Sequence, residues 1–228
     1  MSSIGLIFVA GGLGKRLSKG LPKQFLDLQG KPLFVRALEP FLKLNFDCIA
    51  MTFPSDFLEV TNSILDKFAL MGKVNLVEGG AERYHSVWNA LNFEGIRSCD
   101  YVLIHDAVRP FVSVEFIQKI IGYLVYEKAI IPAILSKDTI KQVNSERYVY
   151  QTLNRETCLL VQTPQAFETE YLYHAYDFVI SHGIHITDDA SAIEQIGGKV
   201  KVIDGEEYNF KITNPIDLEF AEFIAGKL

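Results

Sequence analysis

Four cations, Lys15, Arg16, Lys19 and Lys23, crowd one stretch, Ala10-Gly11-Gly12-Leu13-Gly14-Lys15-Arg16-Leu17-Ser18-Lys19-Gly20-Leu21-Pro22-Lys23-Gln24-Phe25. Gly11, Gly12 and Gly14 let the backbone turn and expose its N–H groups. The apolar run before them, residues 4–9, reads as a buried strand. A loop at the end of a first strand, rich in free amides and positive charge, is suited to hold a polyphosphate. The chain as a whole has a formal net charge of −6, so these cations are concentrated against the average. Two familiar phosphate motifs do not fit. Arg16 follows Lys15 where the Walker pattern needs Ser or Thr, and Leu17 stands at the third glycine position of G-x-G-x-x-G. Pro22 stiffens the backbone just before Lys23 and aims it. The alternative is a flexible surface loop with solvated cations.

A second stretch, Tyr101-Val102-Leu103-Ile104-His105-Asp106-Ala107-Val108-Arg109-Pro110, reads as a buried strand that ends on a carboxylate. Ligands of open α/β sheets bind at the carboxyl ends of the strands. Asp106 is placed there to hold Mg²⁺ between phosphates, and Arg109 to clamp a second phosphate. The competing reading is an Asp106–Arg109 ion pair that only shapes the turn.

A third stretch, Glu78-Gly79-Gly80-Ala81-Glu82-Arg83-Tyr84-His85-Ser86, is a glycine turn opening a helix. Gly80 would admit a flat base and Ser86 could hydrogen-bond it, although residue type alone favours an ordinary helix-surface serine. Thr187 or Asp188 reads as a helix N-cap, and capping alone explains both. Phe210-Lys211-Ile212 alternates like a strand before Pro215, which is suited to the first turn of a helix. Lys211 would face opposite to Phe210 and Ile212 and meet a partner or a ligand.

The elements that must position these residues alternate regularly. Residues 5–10, 48–53, 74–78, 101–105, 129–134 and 200–203 read as strands, and 33–44, 57–70, 81–93, 114–128, 169–182 and 188–196 as helices. This predicts an α/β fold, a Rossmann-like, mostly parallel sheet with helices on both faces, in one domain over residues 1–228. Residues 138–153 break the rhythm as two short alternating runs around Asn144-Ser145-Glu146-Arg147, a β-hairpin. An isolated hairpin is marginal. Residues 138–158 are therefore expected to form a dimer arm against a second copy, the alternative being a hairpin folded on its own domain.

The acidic balance argues against a general nucleic-acid binder. No apolar run reaches the ~18 residues of a membrane span. Met1-Ser2-Ser3 leads straight into a strand, so no signal peptide is expected and the location read is cytoplasmic. Cys48, Cys99 and Cys158 are too few and too scattered for a disulfide framework or a zinc site and read as buried thiols in a reducing compartment.

Gly12-Leu13-Gly14-Lys15-Arg16 followed by Pro22-Lys23 resembles the signature of enzymes that load sugar or alditol phosphates onto nucleotides. Taken in order with Gly79-Gly80 through Arg83, Ser86-Val87, His105 to Pro110, Asp138-Thr139-Ile140-Lys141, Gln162-Thr163-Pro164-Gln165, Thr187 to Ser191 and Lys211-Ile212-Thr213, it resembles the 2-C-methyl-D-erythritol 4-phosphate cytidylyltransferases of non-mevalonate isoprenoid synthesis. The resemblance implies CTP and methylerythritol phosphate as substrates, Mg²⁺ as cofactor and a homodimer. It implies that Arg16 and Lys23 stabilise charge on the α-phosphate. Ala10, Gly11, Gly12, Gly14, Lys15, Gly80, Ser86 and Ala107 would bind the nucleotide, with Gly80 and Ser86 reading cytosine, and Asp106 would serve the metal. Arg109, Thr139, Arg155, Thr187 and Lys211 would position the acceptor, with Arg155 and Lys211 also catalytic and with Thr139 and Arg155 supplied by the partner's arm. Asn154 stands where the family usually has Asp, and Ala81 where an acidic or polar residue is common. Ribitol-5-phosphate cytidylyltransferase shares the glycine loop and Pro-Lys-Gln-Phe and is the nearest rival. A catalytically silent nucleotide-binding regulator is the rival of another class, and it would be free to lose Lys23, Asp106 and Lys211, all of which are present.

Overall fold

The computed structural model describes residues 2–11 and 22–227. The expectations for Gly12, Gly14, Lys15, Arg16 and Lys19 lie outside the described residues. Along the chain come β1 (Ile4–Val9), β2 (Asp27–Leu28), β3 (Lys31–Pro32), α1 (Leu33–Leu42), β4 (Cys48–Phe53), α2 (Leu58–Lys67), β5 (Asn75–Glu78), α3 (Arg83–Leu91), α4 (Glu94–Arg97) and β6 (Tyr101–Asp106). Then follow α5 (Val114–Tyr123), β7 (Ala129–Leu135), β8 (Lys141–Val143), β9 (Val149–Thr152), β10 (Leu159–Val161), β11 (Gln165–Glu168), α6 (Thr169–Ser181), α7 (Asp189–Gln195), β12 (Lys201–Asp204) and α8 (Pro215–Ala225).

The main sheet runs β10-β7-β11-β6-β1-β4-β5, with β12 also on β7. Strands β5, β4, β1 and β6 are mutually parallel, while β11 and β10 pair antiparallel with their neighbours. The α/β, mostly parallel sheet expected from the alternating pattern is present. Successive side chains of β1 point to opposite faces. Leu6 and Phe8 join a core with Phe34, Phe41 and Ile117, whereas Ile7 joins Val87, Ile104, Phe167 and Tyr176 on the other side. Helices α1 and α5 thus close one face, and α3, α6 and α7 the other.

Several boundaries differ from expectation. Helix α5 stops at Tyr123, and residues up to 128 form a turn that starts β7. Phe210-Lys211-Ile212 forms no strand; the segment is joined to the turn after β6 by the bond from Ile212 N to Val108 O at 2.9 Å. The alternation nevertheless holds, since Ile212 is fully buried while Lys211 is about a third exposed. Pro215 does open a helix, with Asn214 as N-cap in a capping box with Asp217. Cys48 and Cys99 are buried and free, but Cys158 is only half-buried because it lies in the exposed segment before β10. No helix among the described residues is long and apolar enough to cross a membrane.

The hairpin forms as β8 paired with β9, with every strand residue exposed. Its turn is held by Asn144 N to Tyr148 O at 3.0 Å and by Tyr148 N to Asn144 Oδ1 at 2.9 Å.

Candidate active site

Strand register builds the site. Val9 pairs with Asp106, and Phe53 pairs with Glu78, so the carboxyl ends of four parallel strands finish together. Bonds just beyond the strands fix the exits: Ala107 N to Val9 O at 3.0 Å, Ala10 N to Thr52 O at 3.2 Å and Gly79 N to Phe53 O at 2.8 Å. Two glycine turns meet here. A methyl group on Gly11 would lie 2.9 Å from Ser86 Oγ and 3.3 Å from Gly79 Cα, so no side chain fits without displacing the turn. Ser86 is buried; its Oγ accepts the Gly80 N–H at 3.0 Å and donates to Glu82 O at 3.3 Å. A Cβ on Gly80 would strike His85 Cβ at 2.3 Å, so packing within its own turn also demands glycine there.

A cavity of about 130 Å³ opens at this edge, lined by Val9, Ala10, Lys23, Gln24, Arg83, Asp106, Ala107, Val108 and Lys211. Expected site residues Ala10, Lys23, Asp106, Ala107 and Lys211 converge on it from three separate stretches. A larger apolar cavity of about 700 Å³ lies between Phe111 and the α8 residues Phe220 and Phe223. It lacks a convergent set of cations, so the smaller cavity is the better polyphosphate site.

Asp106 is the electrostatic centre. Its Oδ1 accepts from Arg83 Nε at 2.9 Å and its Oδ2 from Lys211 Nζ at 2.7 Å, with Arg109 Nε 3.8 Å away. Burial pushes this carboxyl up, but Arg83, Lys211 and Arg109 outweigh it and hold the group well below the usual carboxylate range. Arg83, Lys211 and Arg109 outnumber the two carboxylates they meet, Asp106 and Asp189, and Lys23 adds a further cation to the cavity lining. Lys23 Nζ donates to Ile212 O at 3.3 Å, which ties it to the segment carrying Lys211. Gln24 is buried, and its Nε2 donates to Ala10 O at 2.6 Å, binding the far end of the glycine stretch back to β1.

Arg109 is buried, with Nη1 on Asn209 O at 2.8 Å and Nη2 on Val161 O at 3.4 Å. Desolvation lowers its affinity for the proton despite Asp106. Two of its five N–H donors are thus committed to backbone carbonyls, while its buried Nε has no hydrogen-bond partner among the described residues. His105, fully buried below Asp106, is pushed down to about 4 by burial. Thr163 Oγ1 accepts the Asp106 N–H at 3.1 Å, so its own proton goes to His105 Nδ1 at 3.1 Å. The neutral imidazole then donates from Nε2 to Arg109 O at 3.1 Å.

Thr187, Thr139 and Arg155 are exposed and do not line the cavity of their own chain. Asp188, rather than Thr187, caps α7, accepting from Ser191 N at 3.1 Å. Asn154 accepts from Glu156 N at 3.1 Å, so the amide still caps the turn that holds Arg155.

Arg83 was not expected in the site. It occupies the first position of α3, where a cation opposes the helix dipole, and such a residue needs anionic partners. Asp189 at the start of α7 supplies two bonds of 2.9 Å to its Nη atoms. Burial pushes the guanidinium down, but Asp189 and Asp106 together raise it well above its ordinary value.

A cation-lined cleft at the carboxyl edge of a mostly parallel sheet, with Gly11 just past β1 packed on the Gly79 turn, defines a nucleotidyltransferase. The sequence model of the 2-C-methyl-D-erythritol 4-phosphate cytidylyltransferase family matches residues 4–227, and the chain belongs to that family. A protein of that name from Clostridium botulinum strain Eklund 17B is 40% identical over 98% of this chain and 100% of its own length. Another from Geobacillus kaustophilus is 40% identical over 96% of this chain and 95% of its own. The solved 4-diphosphocytidyl-2C-methyl-D-erythritol synthase of Anaerococcus prevotii superposes with a TM-score of 0.87 at 32% identity, covering 99% of this chain and 96% of that one. The Francisella tularensis 2-C-methyl-D-erythritol 4-phosphate cytidylyltransferase gives 0.83 at 33% identity over 97% and 99%. The resemblance read in the motifs is thereby borne out, and the chain is a cytidylyltransferase of the non-mevalonate pathway.

Proposed function

We propose that the cavity around Asp106 is where CTP and 2-C-methyl-D-erythritol 4-phosphate meet, giving 4-diphosphocytidyl-2-C-methyl-D-erythritol and pyrophosphate. The observation that carries this reading is the convergence of Lys23, Arg83 and Lys211 on one cavity at the carboxyl edge of the sheet, with Arg83 and Lys211 on the Asp106 carboxylate. The phosphate oxygen of the acceptor attacks the α-phosphorus of CTP in line, and the bond to the bridging oxygen of pyrophosphate breaks. The attacking oxygen is already anionic, so no strong general base is needed. Catalysis is positioning and charge stabilisation.

Within this reading Lys23, with Arg16 outside the described residues, neutralises the α-phosphate. Lys211 guides the acceptor phosphate, and Arg109 adds charge behind it. Gly80 and Ser86 present the turn that faces cytosine, with Ala10, Gly11 and Ala107 lining the nucleotide cleft. Thr187 meets the acceptor. Thr139 and Arg155 reach it from the arm of a second copy in a homodimer. The exposed Val143, Tyr148, Val149 and Tyr150 of the hairpin support that arrangement, because a second copy would cover them.

Asp106 fits Mg²⁺ by the chemistry of its donors. Each carboxylate oxygen accepts one side-chain hydrogen bond, leaving a lone pair on each for a hard ion that would complete its shell with phosphate oxygens and water. Bound there, Mg²⁺ would offset phosphate charge and favour departure of pyrophosphate. The thiols suit a reducing cytoplasm.

Pyrophosphate release from CTP tests the reading with two acceptors, methylerythritol phosphate and ribitol 5-phosphate. Release with the first and not the second is expected. A preference for ribitol 5-phosphate, or no release with either, overturns it.

A further inference from the structure

Asp189 lies outside the cavity, is fully buried, and yet touches the machinery through one residue. Its Oδ1 accepts from Arg83 Nη1 at 2.9 Å and from Tyr176 OH at 2.6 Å, and its Oδ2 accepts from Arg83 Nη2 at 2.9 Å. Its backbone is fixed as well: Asp189 N and Ala190 N both donate to Gln165 Oε1 at 3.1 Å. Gln165 is itself buried in β11, in register with Ile104 of β6, two residues before Asp106.

This arrangement constrains Arg83 completely. Two parallel bonds to one carboxylate fix the plane of a guanidinium. Once both Nη atoms are held by Asp189, Nε can point only at Asp106 Oδ1, where it is found at 2.9 Å. With three of its five N–H donors committed to carboxylates, Arg83 cannot swing to follow a substrate phosphate without giving up one of them. It is a bracket between three elements: α3, whose Ser86 holds the Gly80 turn; β6, which ends on Asp106; and α7, which follows Thr187.

We propose that Asp189 is a positioning residue of the active site: acting through Arg83, it fixes the Asp106 carboxylate and locks the Gly80 turn to the Thr187 turn. This rests on the proposed function, since it assigns a role within the same site. Tyr176 is the outermost member, its hydroxyl orienting the Asp189 carboxylate from within the helical core of α6. The ordering falls on the preorganised state and therefore on turnover more than on substrate affinity.

The test uses Asp189→Asn, Arg83→Gln, the double variant, and Tyr176→Phe, which removes one hydroxyl and keeps the packing. Arg97→Gln is the control, breaking another bidentate Arg–carboxylate pair, with Glu170, far from the cavity in sequence and part-exposed. Thermal midpoints are recorded first, and kcat and KM are measured well below them. For Asp189→Asn, kcat is expected to fall about 10- to 100-fold with KM for CTP changed far less. Tyr176→Phe is expected to lose up to about tenfold, the worth of one charge-assisted hydrogen bond. The double variant is expected to be no slower than the worse single one, because both substitutions break one linkage. Arg97→Gln should keep full kcat. Losses that multiply in the double variant, or a lowered thermal midpoint with full kcat in Asp189→Asn and Tyr176→Phe, overturn the proposal. Wild-type protein that releases no pyrophosphate with methylerythritol phosphate would instead count against the proposed function.

Discussion

Lys211 Nζ lies 2.7 Å from Asp106 Oδ2, while Arg83 holds the opposite oxygen. The two residues are 105 positions apart in sequence, joined because Ile212 N bonds to Val108 O just past β6. The lysine thereby lines the cavity with one N–H on Asp106 and two further N–H groups on the same ammonium. Lys23 reaches the same place from the opposite side through Ile212 O.

Lys23→Ala should reduce kcat far more than it weakens CTP binding. The backbone turn at Gly11 and Gly79 is built without Lys23, so the nucleotide cleft survives its loss. Removing one preorganised charge-stabilising group costs about 10²- to 10³-fold in rate. Turnover and calorimetric CTP binding, measured on the same preparation, separate the two effects. Near-normal turnover would remove Lys23 from the reaction.

Asp106→Asn should raise the Mg²⁺ concentration needed for half-maximal activity. An amide is a poorer ligand for a hard cation than a carboxylate. It also removes the anion that Arg83 and Lys211 share, so the variant should fall in kcat even at saturating metal. A Mg²⁺ titration with an unchanged midpoint would make Asp106 a purely structural anchor for the two cations.

The contrast between what was legible in the sequence and what was not has a physical basis. Strands β1, β4 and β6 are buried on both faces and read as unbroken apolar runs. Strands β10 and β11 are three and four residues long, and they exist because β7 and β6 offer them partners, a condition no local pattern records. Phe210-Lys211-Ile212 has strand alternation but finds no strand neighbour, so it stays an extended link. In the site, Asp106 and Lys211 announce themselves as charges beside buried apolar residues. Asp189 looks like ordinary helix-start polarity, and Arg83, though ill-placed at a helix start, does not name its partner 106 residues away.

Asp217 gives a pH-dependent test of the segment that carries Lys211. Its Oδ2 accepts from Thr213 N at 2.6 Å, Thr213 Oγ1 at 2.7 Å and Asn214 N at 3.0 Å. Burial pushes the carboxyl up, but these donors from Thr213 and Asn214 outweigh it and lower its pKa below the ordinary 3.8. A carboxyl that is more acidic when folded adds stability above its unfolded pKa and loses it as pH falls through the folded value. Asp217→Asn should therefore be less stable than wild type by about 1 kcal/mol near neutral pH, with the gap closing in acid as pH falls below the ordinary carboxyl range. Urea unfolding at several pH values measures the gap; a difference independent of pH would show that the capping charge is not involved.

Arg155 should act across a dimer interface. It follows a hairpin whose strands are wholly exposed, and among the described residues its guanidinium donates to Lys137 O at 3.4 Å. Tyr148 and Tyr150 beside it are 70% and 60% exposed, an apolar surface that a hairpin this small does not keep in water without cover. A two-fold exchange of arms would cover both copies and bring each Arg155 to the partner's cavity. Arg155→Ala chains and Lys23→Ala chains should each be nearly inactive alone. Mixed, they form dimers in which one site carries both lesions and the other carries neither, so part of the activity returns. Native mass spectrometry verifies that subunits have exchanged before activity is read. Mixed dimers that form and stay inactive would show that each site is completed by its own chain.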